Sequence, residues 1–312
     1  MLISPKSGYQ EIIVWGLKSK RHSHRFIHQG FFDNFPGYAE SVFWLDDSSG
    51  NNLSPFKRRL ILASGMASKN LPILPNTDYI LHNVHLTPHQ QFATEILNSR
   101  ILKLQVYTNS AQGVAISSTP YVKFDIETST LYQPWGTPLP KSVWHREIEK
   151  TAGNIEYWVG SIWNNKAGQG NIQTVEKYRK ALDINGIKFK RIGGSRINRS
   201  GMTESKAAGF LRKSPIGATI VGNWQEENGY VPCRLFKNIA AGIPPNSNAD
   251  FREILGSDLL FSSDVRELVD MVRSESLVKK QNRLLAAQQL ITEYTYTAAI
   301  NRILISLQML QK

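Results

Sequence analysis

The chain predicts an α/β fold built from two successive parallel-sheet units and a helical tail, and three observations carry that prediction. Short apolar runs that end in glycine or polar residues alternate with segments of helical period along almost the whole length, which is the pattern of parallel strands joined by crossover helices. That alternation is interrupted at "PWGTPLP", Pro134–Pro140, and then starts again. The length, 312 residues, is about twice that of a usual domain.

In the first unit "EIIVWG" (Glu11–Gly16) reads as a buried strand ended by glycine. "SHRFIHQGFFDNF" follows as a helix and "SVFWLDD" as a second strand. "RLILASG", "DYILHN" and "ILKLQVYT" add three more, with "PHQQFATEILNS" a helix between the last two. After the break, "IEYWVGSIW" is a strand and "NIQTVEKYRKALDINGI" a helix that stops around Asn185–Gly186. "IKFKRIGG" is a strand, "MTESKAAGFLRK" a helix and "GATIVG" a strand. "VPCRLFKNIAAG" reads as a helix opening near Val231, followed by "DLLFS" as a strand and "SDVRELVDMVRSES" as a helix. The rest is helical apart from a β-branched interruption near Thr295–Thr297. The expected division is 1–145, 146–285 and a tail, 286–312, that packs back across both. In open α/β sheets ligands sit outside the carboxyl ends of the strands, so two Rossmann-like units imply a site in the cleft they face.

Composition narrows the class. With 41% hydrophobic and 20% charged residues the chain reads as a soluble globular protein. No apolar run approaches the ~18–20 residues needed to span a bilayer, and "MLISPKSGYQ" lacks the features of a signal peptide. The single cysteine, Cys233, rules out an internal disulfide framework and a cysteine-rich zinc site and suits a reducing cytoplasm. A net charge of +12 and a pI near 9.7 favour anionic partners. Dense basic clusters occur only at Ser19–Arg25 and Phe56–Arg59, and RNA-binding signatures are absent, so nucleic acid is not the expected partner.

The helix near Val231 raises the sharpest question. At about 100° per residue, Val231, Leu235 and Ile239 share one face while Arg234, Lys237 and Asn238 share another. Two cations stand at the positive end of the macrodipole, which disfavours them unless an anion is present. Free backbone N–H groups, a guanidinium that can grip two oxygens and an ammonium suit a diphosphate. A solvated basic face is the plainer alternative. His22, His24 and His28 form a second cluster, just after the first strand. Histidine titrates where a base that deprotonates a hydroxyl must, which makes His24, then His22, the candidate base. A His24–His28 metal pair lacks a third ligand, and either ring could instead cap or pack the helix. Asp46–Asp47, "DIE" at Asp125–Glu127 and "GQG" at Gly168–Gly170 give no metal or dinucleotide site.

With these residues in view, "GYVPCRLFKNIAAGIPPNSN" resembles the donor-binding helix of GT-B glycosyltransferases. "ATIVGNWQEEN", "LLFSSDVRELVDMV" and "VGSIWNNKAGQGNIQTVEKYRKAL" resemble the same carboxyl-terminal half in order and spacing. "HSHRFIHQGFF", "FWLDD", "YILHN" and "YQPWGT" resemble segments of the amino-terminal half, so the likeness covers most of the chain. The chain departs from the pair of glutamates eight apart that many members carry, and Cys233 stands where some carry an acid. The resemblance implies a GT-B fold and sugar transfer from a nucleoside diphosphate sugar to a hydroxyl acceptor such as a glycan, a protein or a lipid-linked group, with no metal and no separate cofactor. Arg234 and Lys237 would pair with the phosphates, and Asn238 with a phosphate oxygen or sugar hydroxyl. Ser161 would face the phosphates or the donor sugar. Trp224, Gln225, Tyr230 and the backbone of Val231 and Pro232 would hold the base, although Trp224 and Tyr230 are equally suited to packing. In a retaining enzyme His24 would only hold acceptor or donor sugar. The alternatives are a sugar-nucleotide epimerase or hydrolase on the same fold, and a basic protein binding nucleic acid or an anionic membrane, with peripheral contact through the final helices.

Overall fold

The computed structural model describes residues 7–18, 23–46, 53–64, 70–83, 86–108, 111–149, 153–165, 167–192 and 203–310. It is a mixed α/β protein with a seven-stranded, mostly parallel sheet and, among the described residues, ten helices. The sheet is formed by β1 (Tyr9–Trp15), β2 (Ala39–Leu45), β3 (Arg59–Ser64), β4 (Thr77–His82), β5 (Ile101–Gln105), β6 (Lys123–Asp125) and β7 (Thr130–Tyr132). Its order is β2-β1-β3-β4-β5-β7-β6, and only β6 runs antiparallel. The order reverses at β1, between β2 and β3, which marks the carboxyl ends of β1 and β3 as the place where a crevice opens.

Residues alternate between faces because the strand period is two. Ile12, Val14, Leu60, Leu62 and Ile80 enter one core, while Ile13, Trp15, Ile61, Ala63, Tyr79 and Leu81 enter the other. Helix α1 (Ser23–Asn34) joins β1 to β2, and α2 (Pro88–Ile96) joins β4 to β5. The latter opens with a capping box in which Thr87 Oγ1 accepts from Gln90 N–H and Gln90 Oε1 accepts from Thr87 N–H. The β6–β7 hairpin was not expected from the sequence. Asp125 makes its turn by accepting from Glu127 N–H and Thr128 N–H, so the "DIE" carboxylate serves the chain itself.

In the second half β8 (Ile155–Val159) pairs in parallel with β9 (Lys188–Ile192), with α3 (Ile172–Ile184) between them. Helix α3 is followed by Asn185 at its cap and by Gly186 with φ of 69°, as its sequence requires. Helices α4 (Glu204–Leu211), α5 (Asn223–Glu227) and α6 (Cys233–Ala240) follow, and α6 starts two residues later than the pattern suggests because Pro232 takes the cap position. Strands β10 (Asn246–Ser247) and β11 (Leu260–Phe261) form a short parallel pair, with α7 (Arg252–Leu255) between them and α8 (Val265–Ser274) after. The "GATIVG" segment forms no ladder. It makes a single parallel bridge, Thr219 to Ser247, and is otherwise held largely by side chains, among them the amides of Asn248 and Asn238, which donate to Val221 O and Gly217 O, and that of Asn246, which donates to the preceding Ile216 O.

The last two helices serve different halves. Leu284, Ala287 and the following Ile291 place α9 (Leu277–Leu290) in a core shared with α6 and α7, while Tyr296, Ile300, Ile303 and Leu307 place α10 (Tyr296–Met309) in the core of the seven-stranded sheet. Where the chain passes back between them it hydrogen-bonds to the earlier passage: Thr137 N–H donates to Tyr294 O (2.8 Å) and Tyr296 N–H to Thr137 O (3.1 Å). Among the described residues no helix is long and apolar enough to cross a membrane.

Candidate functional site

At the carboxyl end of β1 the carbonyl of Gly16 accepts from Trp44 Nε1–H at 2.8 Å and contacts His28 Nδ1 at 3.3 Å. A carbonyl only accepts, so His28 Nδ1 carries the proton. Neutral His28 then presents a lone pair at Nε2, and His82 Nε2, 3.0 Å away, donates to it. Both rings are fully buried. Burial pushes His28 down to about 4, with the Gly16 carbonyl opposing and the charge of His24 acting in the same direction as burial, so His28 is neutral at physiological pH. His24 lies one turn before His28 on α1 and is only half-buried. Its ring meets His82 edge-on at 5.2 Å, and Trp135 meets His82 edge-on at the same distance. Asn83 Nδ2 is 3.5 Å from His24 Nε2. His24 is thus the more accessible imidazole, seated on a buried pair. His22 and Asp47 lie outside the described residues.

The second constellation surrounds the start of α6, which has no side-chain cap, so its first N–H groups are left to other acceptors. Arg234 Nε and Nη2 both donate to Val159 O, at 3.0 and 2.9 Å, and the guanidinium carbon lies over the Trp158 ring, 3.2 Å from its centre. Gly160 has φ of 129°, a conformation that strains other residues, and a Cβ there would come within 2.5 Å of Arg234 Nη2 and displace the guanidinium. Burial lowers Arg234 to about 10, which leaves it charged at neutral pH. Lys237 Nζ pairs with Glu204 at 2.6 Å. Burial acts against its charged form, but Glu204 and Cys233 more than offset this, and its pKa is raised.

The other expected donor residues are placed as follows. Asn238 turns away from the helix start, with its amide donating to Gly217 O at 2.7 Å and its Oδ1 buried without a hydrogen-bond partner. Ser161 follows Gly160, half-buried, and its carbonyl accepts from Asn171. Gln225 Oε1 accepts from Gly222 N–H, so this side chain ties the loop before α5. Trp224 and Tyr230 pack their rings on Tyr107 of the first half, at 5.2 and 5.5 Å, and Thr108 Oγ1–H donates to Gly229 O. Val231 is buried in the apolar core with α6, and Pro232 is half-buried at the cap.

Helix α1 links the two constellations. It carries His24 and His28 in its opening turns, and nine residues beyond His24, about 14 Å at 1.5 Å per residue, it carries Asp33. Burial raises Asp33, and the charge of Glu204 raises it further. One helix of the first half therefore carries the histidines and, further along, a carboxyl group that senses the charge of Glu204. His82 and Glu204 were not singled out in the sequence. His82 had a signal in "YILHN" at a strand end, whereas Glu204 looks like an ordinary first-turn acid. Among the described residues no three His, Cys, Asp or Glu side chains gather as metal ligands. No protein-family model and no curated protein matches this chain.

Proposed function

We propose that the protein transfers a sugar from a nucleoside diphosphate sugar to a hydroxyl acceptor, with the donor held by residues 146–285 and the acceptor by residues 1–145 in a GT-B arrangement. One observation carries the reading: the uncapped start of α6 presents a buried Arg234 beside the Gly160–Ser161 loop, with Lys237 one turn further on. The bond between the donor's anomeric carbon and its phosphate oxygen breaks, and the electron pair passes to the diphosphate. Arg234, Lys237 and the free N–H groups of α6 stabilise that charge more as it grows than before the bond breaks. The acceptor oxygen forms the new bond to the anomeric carbon and gives its proton to His24, the half-buried imidazole of the cluster. His28, buried on the same helix, is itself held neutral by burial.

The first test is a thermal-shift screen against nucleoside diphosphates and their sugars, because a ligand of the folded state raises the melting temperature. Transfer is then measured with Arg234→Ala. Turnover falls at least tenfold in a variant whose circular dichroism matches the wild type. Unchanged transfer refutes the role of the guanidinium, and release of free sugar without acceptor product moves the assignment to hydrolysis.

A further inference from the structure

The ammonium of Lys237 is already answered within the protein. Glu204 reaches it at 2.6 Å with only 20% of its side chain exposed, and the lysine side chain is 15% exposed. The start of α4 has its own cap, since Thr203 Oγ1 accepts from Lys206 N–H. The carboxylate is therefore free to turn toward α6. Arg234 differs: both of its bonds to Val159 go to a neutral carbonyl, and its charge is undiminished. The two cations at the start of α6 thus present about one net positive charge, and Asp33 of the first half adds a further negative charge to the surroundings of Glu204.

Resting on the reading that a diphosphate binds here, we infer that Glu204 is a specificity-determining residue that favours the diphosphate diester of a nucleotide sugar over the free nucleoside diphosphate. The two ligands differ in charge at the end that would approach Lys237. The diester carries two negative charges. The free diphosphate has a terminal phosphate whose second ionisation, near pH 6, adds most of a third. A fixed carboxylate a few ångströms away, in a partly buried setting, repels that extra charge strongly enough to change affinity about tenfold or more, and so offsets part of the stabilisation that Arg234, Lys237 and the N–H groups of α6 give the departing diphosphate. The product of transfer is then the ligand the site holds less well, and it leaves.

The test measures dissociation constants by calorimetry at pH 7.5 for UDP and UDP-glucose, GDP and GDP-mannose, and ADP and ADP-glucose. The proteins are the wild type, Glu204→Gln and Glu204→Asp. In the glutamine variant the free diphosphate of the recognised pair binds at least tenfold tighter while its sugar diester changes less than threefold, and the aspartate variant keeps the wild-type preference. Should the glutamine variant not fold, the wild type carries the test: its preference for the diester shrinks between pH 7.5 and 5.5, as the terminal phosphate gains a proton. Equal shifts for both ligands, or a preference that ignores pH, overturn the role of Glu204 and leave the diphosphate site standing. Binding of no pair by any of the proteins overturns the diphosphate reading, and this inference with it.

Discussion

From β2 to β5 the first half is held by backbone ladders, each strand exchanging hydrogen bonds with its neighbours over four to six residue pairs. In the second half β8–β9 and β10–β11 do the same, but the extended segment between them depends on side chains. The side chains of Asn238 and Asn248 take the place of ladder partners. The Glu156 carboxylate accepts from Ile216 N–H, Gly217 N–H and Tyr178 O–H. Arg283 of α9 donates to Pro245 O, Asp258 O and Asn246 Oδ1 and pairs with Glu275. A ladder spreads its stability over many interchangeable bonds, whereas a clamp concentrates it in a few groups that must all be present. The loops around α6 are positioned by the second kind.

The largest expected effect attacks the clamp. Arg283→Met leaves the buried Glu275 carboxylate without its cation, and loss of one partner from a buried ion pair costs about 4 kcal/mol. Urea unfolding followed by fluorescence shows the loss, and amide exchange shows the segments 216–222 and 245–248 opening first. Retention of wild-type stability would mean that the ladders alone hold both halves.

Acid separates the halves next, and in opposite directions. His28 is lowered from 6.5 to about 4, so its folded form resists protonation. Its contribution is complete above pH 6.5 and is lost as the pH falls toward 4. Glu156 is raised from 4.5 to about 7, with burial opposed by its three donors. Its contribution is complete below pH 4.5 and is lost as the pH rises toward 7. Each shift is worth about 3 kcal/mol over its window, so global stability changes little between pH 7 and 4.5. Amide exchange, corrected for its intrinsic pH dependence, shows the first half loosening and the second tightening on acidification, and Glu156→Gln removes only the second response. The smallest effect is Thr87→Ala, which removes the α2 cap at a cost of about 1 kcal/mol and leaves exchange in the second half unchanged.

The same contrast explains what could be read in the sequence. Strands β1, β3 and β4 are buried on both faces and announce themselves as apolar runs, and α6 shows its buried face at Val231, Leu235 and Ile239. "GATIVG" has the same composition as those strands, yet its partners are amide side chains 21 to 27 residues away, which periodicity does not reveal. Strands β6 and β7 have three residues each, too short for alternation to register. In the candidate site Arg234 and Lys237 stood out because they share one turn of a helix. His82 meets His28 across 54 residues, and Glu204 meets Lys237 across 33. Spacing within an element is legible, whereas pairing between elements has to be seen. Asn238 shares a helix face with the cations but serves Gly217, so a shared face did not imply a shared role.

Because α10 supplies Tyr296, Ile300, Ile303 and Leu307 to the core around β1 and β3, strands made early in translation are completed by a helix made much later. On the ribosome the seven-stranded sheet must wait, with one apolar surface unsealed, until α10 has emerged. Nascent chains halted before Tyr296 should accordingly be clients for holdase chaperones, and emergence of α10 should be the moment at which they let go.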